Sequence, residues 1–185
     1  MRHEETNKWG QGDLKASFYE EQLIEGQEHK EQEESLLKVV KPHQMPWEES
    51  RQGRIKHLLN EKMGTRMKSV EAYMQIIPPG SSSGKHRHMG EELVYILEGK
   101  GYDLHWDVEM ILTERYEWKV ADQPTRYEWE EGDLVYIPPN TVHQHFNADP
   151  NQPVRFISAW NPLYGCLGFN DLEQIEDAVR RTRQT

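Results

Sequence analysis

The 185-residue chain reads as an all-β protein. A small antiparallel barrel is expected over residues 36–165, with an acidic N-terminal extension over 1–35 and a C-terminal helix over 166–185 packed on the barrel. Three observations predict this architecture. Short apolar runs recur between Leu36 and Trp160, broken by Pro and Gly. Within them apolar and polar residues alternate at the two-residue period of a half-buried strand. The runs also return at roughly regular spacing, as in a sandwich or barrel rather than a parallel α/β sheet.

The extension holds ten Asp/Glu against four Lys/Arg, much of the chain's formal net charge of −10. From Asp13 the residues Leu14, Phe18 and Leu23 are loosely helical, with Asp13 placed to cap. "EGQEHKEQEES" has no apolar face and reads as a solvated helix or linker. After Ser35, "LLKVVKP", "GRIKHLL" and "SVEAYMQII" read as strands. In the last, Val70, Ala72, Met74 and Ile76 alternate with Glu71, Tyr73 and Gln75, which predicts that the apolar set is the buried face. "ELVYILEGKGYDLHW", "RYEWEEGDLVYIPP", "TVHQHF" and "VRFISAW" continue the series. In "LVYIL" both alternating sets are apolar, so the set outside the barrel needs cover from a helix, another sheet or a second subunit. "NDLEQIEDAVRRTRQT" reads as a helix capped by Asn170 or Asp171, with Leu172, Ile175 and Val179 on one face and Arg180, Arg181 and Arg183 at its end.

The acidic balance argues against a nucleic-acid partner. The single cysteine, Cys166, excludes an intramolecular disulfide framework and a Cys-rich zinc site, and reads as a small structural residue. The N-terminal residues have no apolar segment like that of a signal peptide, and no run is long enough to span a membrane. The expectation is a cytoplasmic protein.

The chemistry gathers around two stretches. In "GSSSGKHRHMGEELVYILEG", His86 and His88 are two apart, so in a strand they point to one side and are natural co-ligands for a metal. Glu92 has the same parity, but a straight strand would hold it roughly 13 Å from His88, too far for one ion. The chain must fold back at Met89–Gly90, so the two histidines end one strand and Glu92 opens the next. In "GDLVYIPPNTVHQHFN" a type II turn at Pro139–Asn140 leads to His143, with His145 on the same face. His145 can be a further donor, an alternative ligand or a proton carrier, or simply a hydrogen-bonded interior histidine.

These stretches resemble the paired motifs of the cupin superfamily. Gly80, His86, His88, Glu92 and Gly99 match every signature position of the first motif. Gly132, Pro138, His143 and Asn147 match the second, where Asn140 stands in place of the usual central Gly. Asn is the next most tolerant residue for a left-handed backbone. The resemblance implies a jelly-roll barrel with the metal inside, commonly in a homodimer, and His86, His88, Glu92 and His143 as ligands. Three imidazoles and a carboxylate suit one divalent ion, with Fe(II) favoured and Mn, Ni, Zn or Co compatible. Residues 100–131 exceed the minimal spacing between the motifs and predict an extended hairpin or an insertion at the barrel mouth.

Other residues are weighed against plainer roles. Arg54 and His57 could contact a substrate anion if "GRIKHLL" lines the mouth; otherwise they protect an edge strand. His105 could point inward, although a structural role is the plainer one. Arg87 should point away from His86 and His88, and Arg155 could sit at the mouth or on the surface. The leading function is an Fe(II) dioxygenase acting on a small oxygenated substrate, in the manner of gentisate-dioxygenase-like cupins. Those enzymes rely on three histidines without the motif glutamate, so Glu92 departs from them. The alternatives are a non-redox lyase, decarboxylase or isomerase, and a small-molecule-binding module without catalysis. Cupin lyases of dimethylsulfoniopropionate carry a tyrosine two residues after the glutamate; here that position is Val94.

Overall fold

The computed structural model describes residues 15–67, 69–168 and 172–179. The chain divides into two compact units, 1–36 and 37–185, and each is described by itself. In the first, helix α1 (Phe18–Ser35) runs unbroken through the stretch without an apolar face and buries none of its side chains. It begins after Ser17, whose carbonyl accepts from Glu21 N–H. Asp13, the expected cap, lies outside the described residues.

The second unit is built from antiparallel strands in two main sheets. One holds six strands in the order β1 (Trp47–Ser50), β2 (Gly53–Leu59), β3 (Glu71–Ile77), β12 (Val154–Trp160), β5 (Glu92–Glu98), β10 (Leu134–Ile137). The other holds five, in the order β13 (Glu173–Glu176), β4 (Lys85–Arg87), β11 (Val142–Asn147), β6 (Lys100–Trp106), β9 (Thr125–Glu130). Between β6 and β9 the chain makes a separate two-stranded hairpin, β7 (Val108–Leu112) and β8 (Tyr116–Val120), the extended hairpin expected in the long inter-motif segment.

The interior is divided along the strands. Ile77, Val94, Ile96, Trp129, Ile137, Val154 and Phe156 form an apolar cluster, and burying each large side chain is worth roughly 1.5–3 kcal/mol. Toward the other end the same inward positions turn polar. On β5 the inward series runs Ile96, Val94, Glu92, and on β12 it runs Val154, Phe156, Ser158. Phe156 faces Ile96 and Ser158 faces Val94, so both strands change character at one level. A packed floor therefore supports a buried polar chamber.

Three local expectations are corrected. On β3 the inward face is Tyr73, Gln75 and Ile77, aligned with Ser158, Phe156 and Val154. The apolar set Ala72, Met74 and Ile76 faces outward and is only half-buried. Polar side chains are held in the interior here by specific partners: Tyr73 Oη donates to Glu92 Oε1 at 3.1 Å, and Gln75 Nε2 donates to Gln52 O in the β1–β2 turn at 2.5 Å. "LLKVVKP" is not a strand: it makes one isolated parallel bridge, Leu37 to Thr65, before a 3₁₀ turn at Pro42–Gln44. Val39 is exposed, so the run buries no alternating face that would favour a strand.

The third correction concerns the C-terminus. A short helix, α2 (Leu163–Cys166), is present, but within the predicted helix "NDLEQIEDAVRRTRQT" the described residues 172–179 hold strand β13 instead. β4 has an open edge, and the chain closes it with a backbone ladder. Arg87 pairs with Glu173 at 2.7 Å and Lys85 with Glu176 at 3.5 Å. That pairing outweighs local helix preference. The expected caps, Asn170 and Asp171, and the terminal arginines lie outside the described residues. Cys166 is exposed rather than packed.

Candidate metal centre

β4 carries His86, His88 follows it directly, and Glu92 opens β5, as the fold-back requires. Gly90 is needed at this bend for space rather than for a left-handed backbone. It is not among the positive-φ glycines, and a Cβ there would lie 2.8 Å from Asn161 O. The second turn also forms as expected. Asn140 is the one positive-φ non-glycine among the described residues, at φ 63°, and Thr141 N–H donates to Pro138 O at 3.2 Å. Asn140 N–H donates to His88 O at 2.8 Å, which ties the two motifs together. β11 then sets His143 directly opposite His86.

His86, His88, Glu92 and His143 thereby converge, each offering a ligand atom within 4.8 Å of the others. All four are buried; Glu92 is 1% exposed and His143 is fully enclosed. Their hydrogen bonds set the imidazole tautomers. Nδ1–H of His88 donates to Gly90 O at 2.7 Å, and Nδ1–H of His143 donates to Thr141 O at 2.9 Å. The Nε2 atoms of both rings face one carboxylate oxygen, Glu92 Oε2, at 2.8 and 3.2 Å. In the neutral rings these are lone pairs turned toward an anion, an arrangement that a cation among them would relieve.

The electrostatics agree with such a role. Burial would raise the Glu92 carboxyl, but hydrogen bonds and positive charge from the facing His143 and His88 rings, when these carry a proton, hold it well below its ordinary value; with the rings neutral, a bound cation would play the same part. Burial lowers His86 and His143, so both rings are neutral at neutral pH, as metal ligation demands. His86 Nδ1 and His143 Nε2 are buried without a hydrogen-bond partner. Orphaned nitrogens beside an ionised carboxylate are the donor set of a divalent metal site, and the residues fit one.

Beside His145 and His105, the chamber holds Tyr73, Ser158 and Asp103, which the sequence did not single out. Tyr73 Oη donates to Glu92 Oε1 at 3.1 Å, and Ser158 Oγ donates to the same oxygen. Burial and the Glu92 charge push the Tyr73 phenol well above its ordinary value, so it remains a donor. One layer deeper, Asp103 Oδ1 accepts from His145 Nδ1 and from Trp129 Nε1, each at 2.8 Å. Burial opposes ionisation of Asp103 and His145, yet their mutual attraction lowers the acid and raises the imidazole. His145 Nε2 is buried without a partner, and its ring centroid lies 5.5 Å from that of His143. His105 points inward, 3% exposed, with Nε2 3.5 Å from Asp103 Oδ2. The signal for Tyr73 and Asp103 was parity with known inward positions, readable only once register is known.

Other expected residues lie elsewhere. Arg54 is on the outer face of β2, over the Trp47 ring at 4.5 Å and 3.5 Å from Glu49. His57 aligns with Tyr73 but is held by Glu48 at 2.6 Å. Arg87 points away from the histidines to Glu173, and Arg155 is a surface partner of Glu98.

A small antiparallel barrel with three buried imidazoles and one carboxylate from paired motifs defines a class. The family model for the cupin domain matches residues 73–160, which contain all four converging side chains and the residues that hold Glu92. The chain belongs to the cupin superfamily. An uncharacterized protein of Methanocaldococcus jannaschii is 32% identical over 113 residues, 60% of this chain and 74% of that one. An auxin-binding protein of Nicotiana tabacum is 29% identical over 91 residues, 49% of this chain; the match spans only 45% of that protein. Among solved structures, a polyketide cyclase from Streptomyces resistomycificus shares the fold with a TM-score of 0.51 at 18% identity, covering 80% of this chain and 89% of that one.

Proposed function

We infer that the protein is a metal-dependent enzyme acting on a small oxygenated substrate, with Fe(II) dioxygenase chemistry as the leading reading. The observation that carries it is the convergence of His86, His88, Glu92 and His143 in a buried chamber, with the imidazole tautomers already set for ligation. A bound divalent ion would supply Lewis acidity and, as Fe(II), a path for electrons between an oxygenated substrate and dioxygen. Mn, Ni, Zn or Co fits the same donors.

The chain's own residues have separable tasks. Gly90 O and Thr141 O orient His88 and His143 through their Nδ1–H groups. Tyr73 and Ser158 fix Glu92 by donating to Oε1, which leaves Oε2 toward the imidazoles. Burial excludes water from the reacting region. The Asp103–His145 pair favours a second reading: a lyase, decarboxylase or isomerase in which His145 Nε2 moves a proton. The tobacco relative, named for binding auxin, supports small-molecule recognition without requiring catalysis. No described helix is long and apolar enough to cross a membrane; a cytoplasmic homodimer is the setting we infer.

Metal analysis of natively purified protein, with an oxygen electrode, tests the reading. About one equivalent of iron and oxygen uptake on hydroxy-aromatic acids, diols or diketones is expected. Full iron occupancy with no uptake across that panel would remove the dioxygenase. Turnover under argon with Mn or Zn would establish the proton-transfer alternative.

A further inference from the structure

Strands β9 and β10 are consecutive in the chain but belong to different sheets, each as an end strand. Their free edges leave a cavity of about 530 Å³ between them. None of the four converging ligands lines it. His105 lies between the two sites: it lines the cavity, and its ring centroid is 6.3 Å from that of His143.

The lining has a distinct chemistry. Tyr127, Trp129 and Tyr136 contribute aromatic surface, with Tyr127 4.9 Å from His105 between ring centroids. Asp107, Glu128 and Asp133 contribute carboxylates, and no lysine or arginine lines the cavity. Glu128 is neutralised by Arg126 at 3.1 Å; Asp133 Oδ2 accepts from Glu130 N–H at 2.9 Å, but neither Asp107 nor Asp133 has a cationic partner among the described residues. His105, at 3% exposure, turns Nε2 toward Asp103 Oδ2 at 3.5 Å without closing a hydrogen bond, so its ring forms the inner wall of the cavity. Carboxylates without a cationic partner, set beside aromatic faces, attract a cation and penalise an anion, and ring faces add a cation–π attraction for an organic ammonium. The leucine and valine of β10, Leu134 and Val135, add apolar wall that a bare inorganic ion would not use.

We propose that this cavity binds a small organic cation, an ammonium group carried on an apolar or aromatic body. The ammonium sits between Asp107 and Asp133, and the body lies against Tyr127. The site is independent of the metal reading, because it shares none of the four ligands.

The test is calorimetric and NMR titration of the full-length protein with benzyltrimethylammonium, in parallel with benzyl alcohol and benzoate. These probes share a ring and differ in charge. The cation should bind saturably and at least about tenfold more tightly than either counterpart, with amide shifts confined to β9, β10 and the His105–Asp107 segment. Tyr127→Ala should weaken binding roughly 2- to 30-fold, the range of a cation–aromatic contact, and Asp107→Asn should reduce the preference for the cation. Both side chains lie at the cavity wall, and retention of the amide spectrum verifies folding. Equal binding of the three probes, no saturation, or shifts centred on His86, His88 and His143 would overturn the proposal. The comparison among probes on the unaltered protein decides the matter even if a variant fails to fold. Metal content plays no part in the readout, so failure here leaves the metal centre untouched.

Discussion

At the scale of single residues, the two polar layers of the chamber should separate experimentally. His143→Ala removes an enclosed imidazole that faces both His86 and Glu92, and stoichiometric metal should be lost. Metal analysis after dialysis checks this, and full retained occupancy would refute the four-ligand site. Tyr73→Phe removes one donor from Glu92 while Ser158 keeps the other, so metal affinity should fall by about 10- to 100-fold rather than vanish, as a competition titration with a chelator would show. The deeper pair gives a pH signature. Asp103 is lowered and His145 raised on folding, so the pair stabilises the fold between the acid's range and the raised imidazole value. Its contribution is complete below the unfolded histidine pKa, near 6.5, until acid protonates Asp103, and it is lost as pH rises through the folded value of His145. His86 and His143 act in the opposite sense: lowered on folding, they cost stability as pH falls below about 6.5. Metal-free protein should therefore be most stable near neutrality in urea unfolding. Asp103→Asn should cost roughly 3–5 kcal/mol and flatten the alkaline side of the profile. The four converging side chains were legible in sequence because two-residue parity and the distance limit fold Glu92 back toward His86 and His88, and the resemblance to the paired cupin motifs adds His143. Tyr73, Ser158 and Asp103 were not, since each acts across a sheet whose register no local pattern reveals.

At the scale of elements, β13 shows how an edge can overrule periodicity. Leu172, Ile175 and Val179 are spaced as on a helix face, yet residues 173–176 pair with β4, a three-residue strand that carries His86 and would otherwise present an open edge. Gln174 lies opposite His86, and its side chain bonds Gln52 at 2.8 Å and Glu176 O at 2.6 Å. Ending the chain after Cys166 should therefore lower the melting temperature and weaken metal binding without touching a ligand. Calorimetry and chelator competition measure the two effects, and unchanged metal affinity would show that β4 holds His86 unaided. The barrel strands were readable because alternation is local. The buried face of β3 was inverted because alternation does not say which side is the interior when that interior is polar. β13 was missed because an unsatisfied strand edge is a property of the tertiary fold.

At the scale of the whole molecule, the feature left to explain is the outer face of β5 and β10. Tyr95 faces Leu134 and Leu93 faces Tyr136 across the pair, and all four are exposed. The sequence predicted that this second apolar set of "LVYIL" needs cover. A second copy can supply it by symmetry, each patch meeting its equivalent, so one substitution acts twice in the interface. The formal charge of −10 per chain opposes that association. Salt screens charge repulsion over about 8–10 Å at moderate ionic strength while leaving apolar burial intact. A dimer held by this face should thus tighten as salt is raised, whereas one held by ion pairs should loosen. Leu134→Glu places a carboxylate within the patch on both copies and should yield monomer at micromolar concentration, with the barrel still folded because the side chain is exposed. Light scattering across a salt series, on the unaltered protein and this variant, reads both effects. A dimer that weakens with salt and survives Leu134→Glu would place the interface elsewhere and leave the apolar face to a different partner.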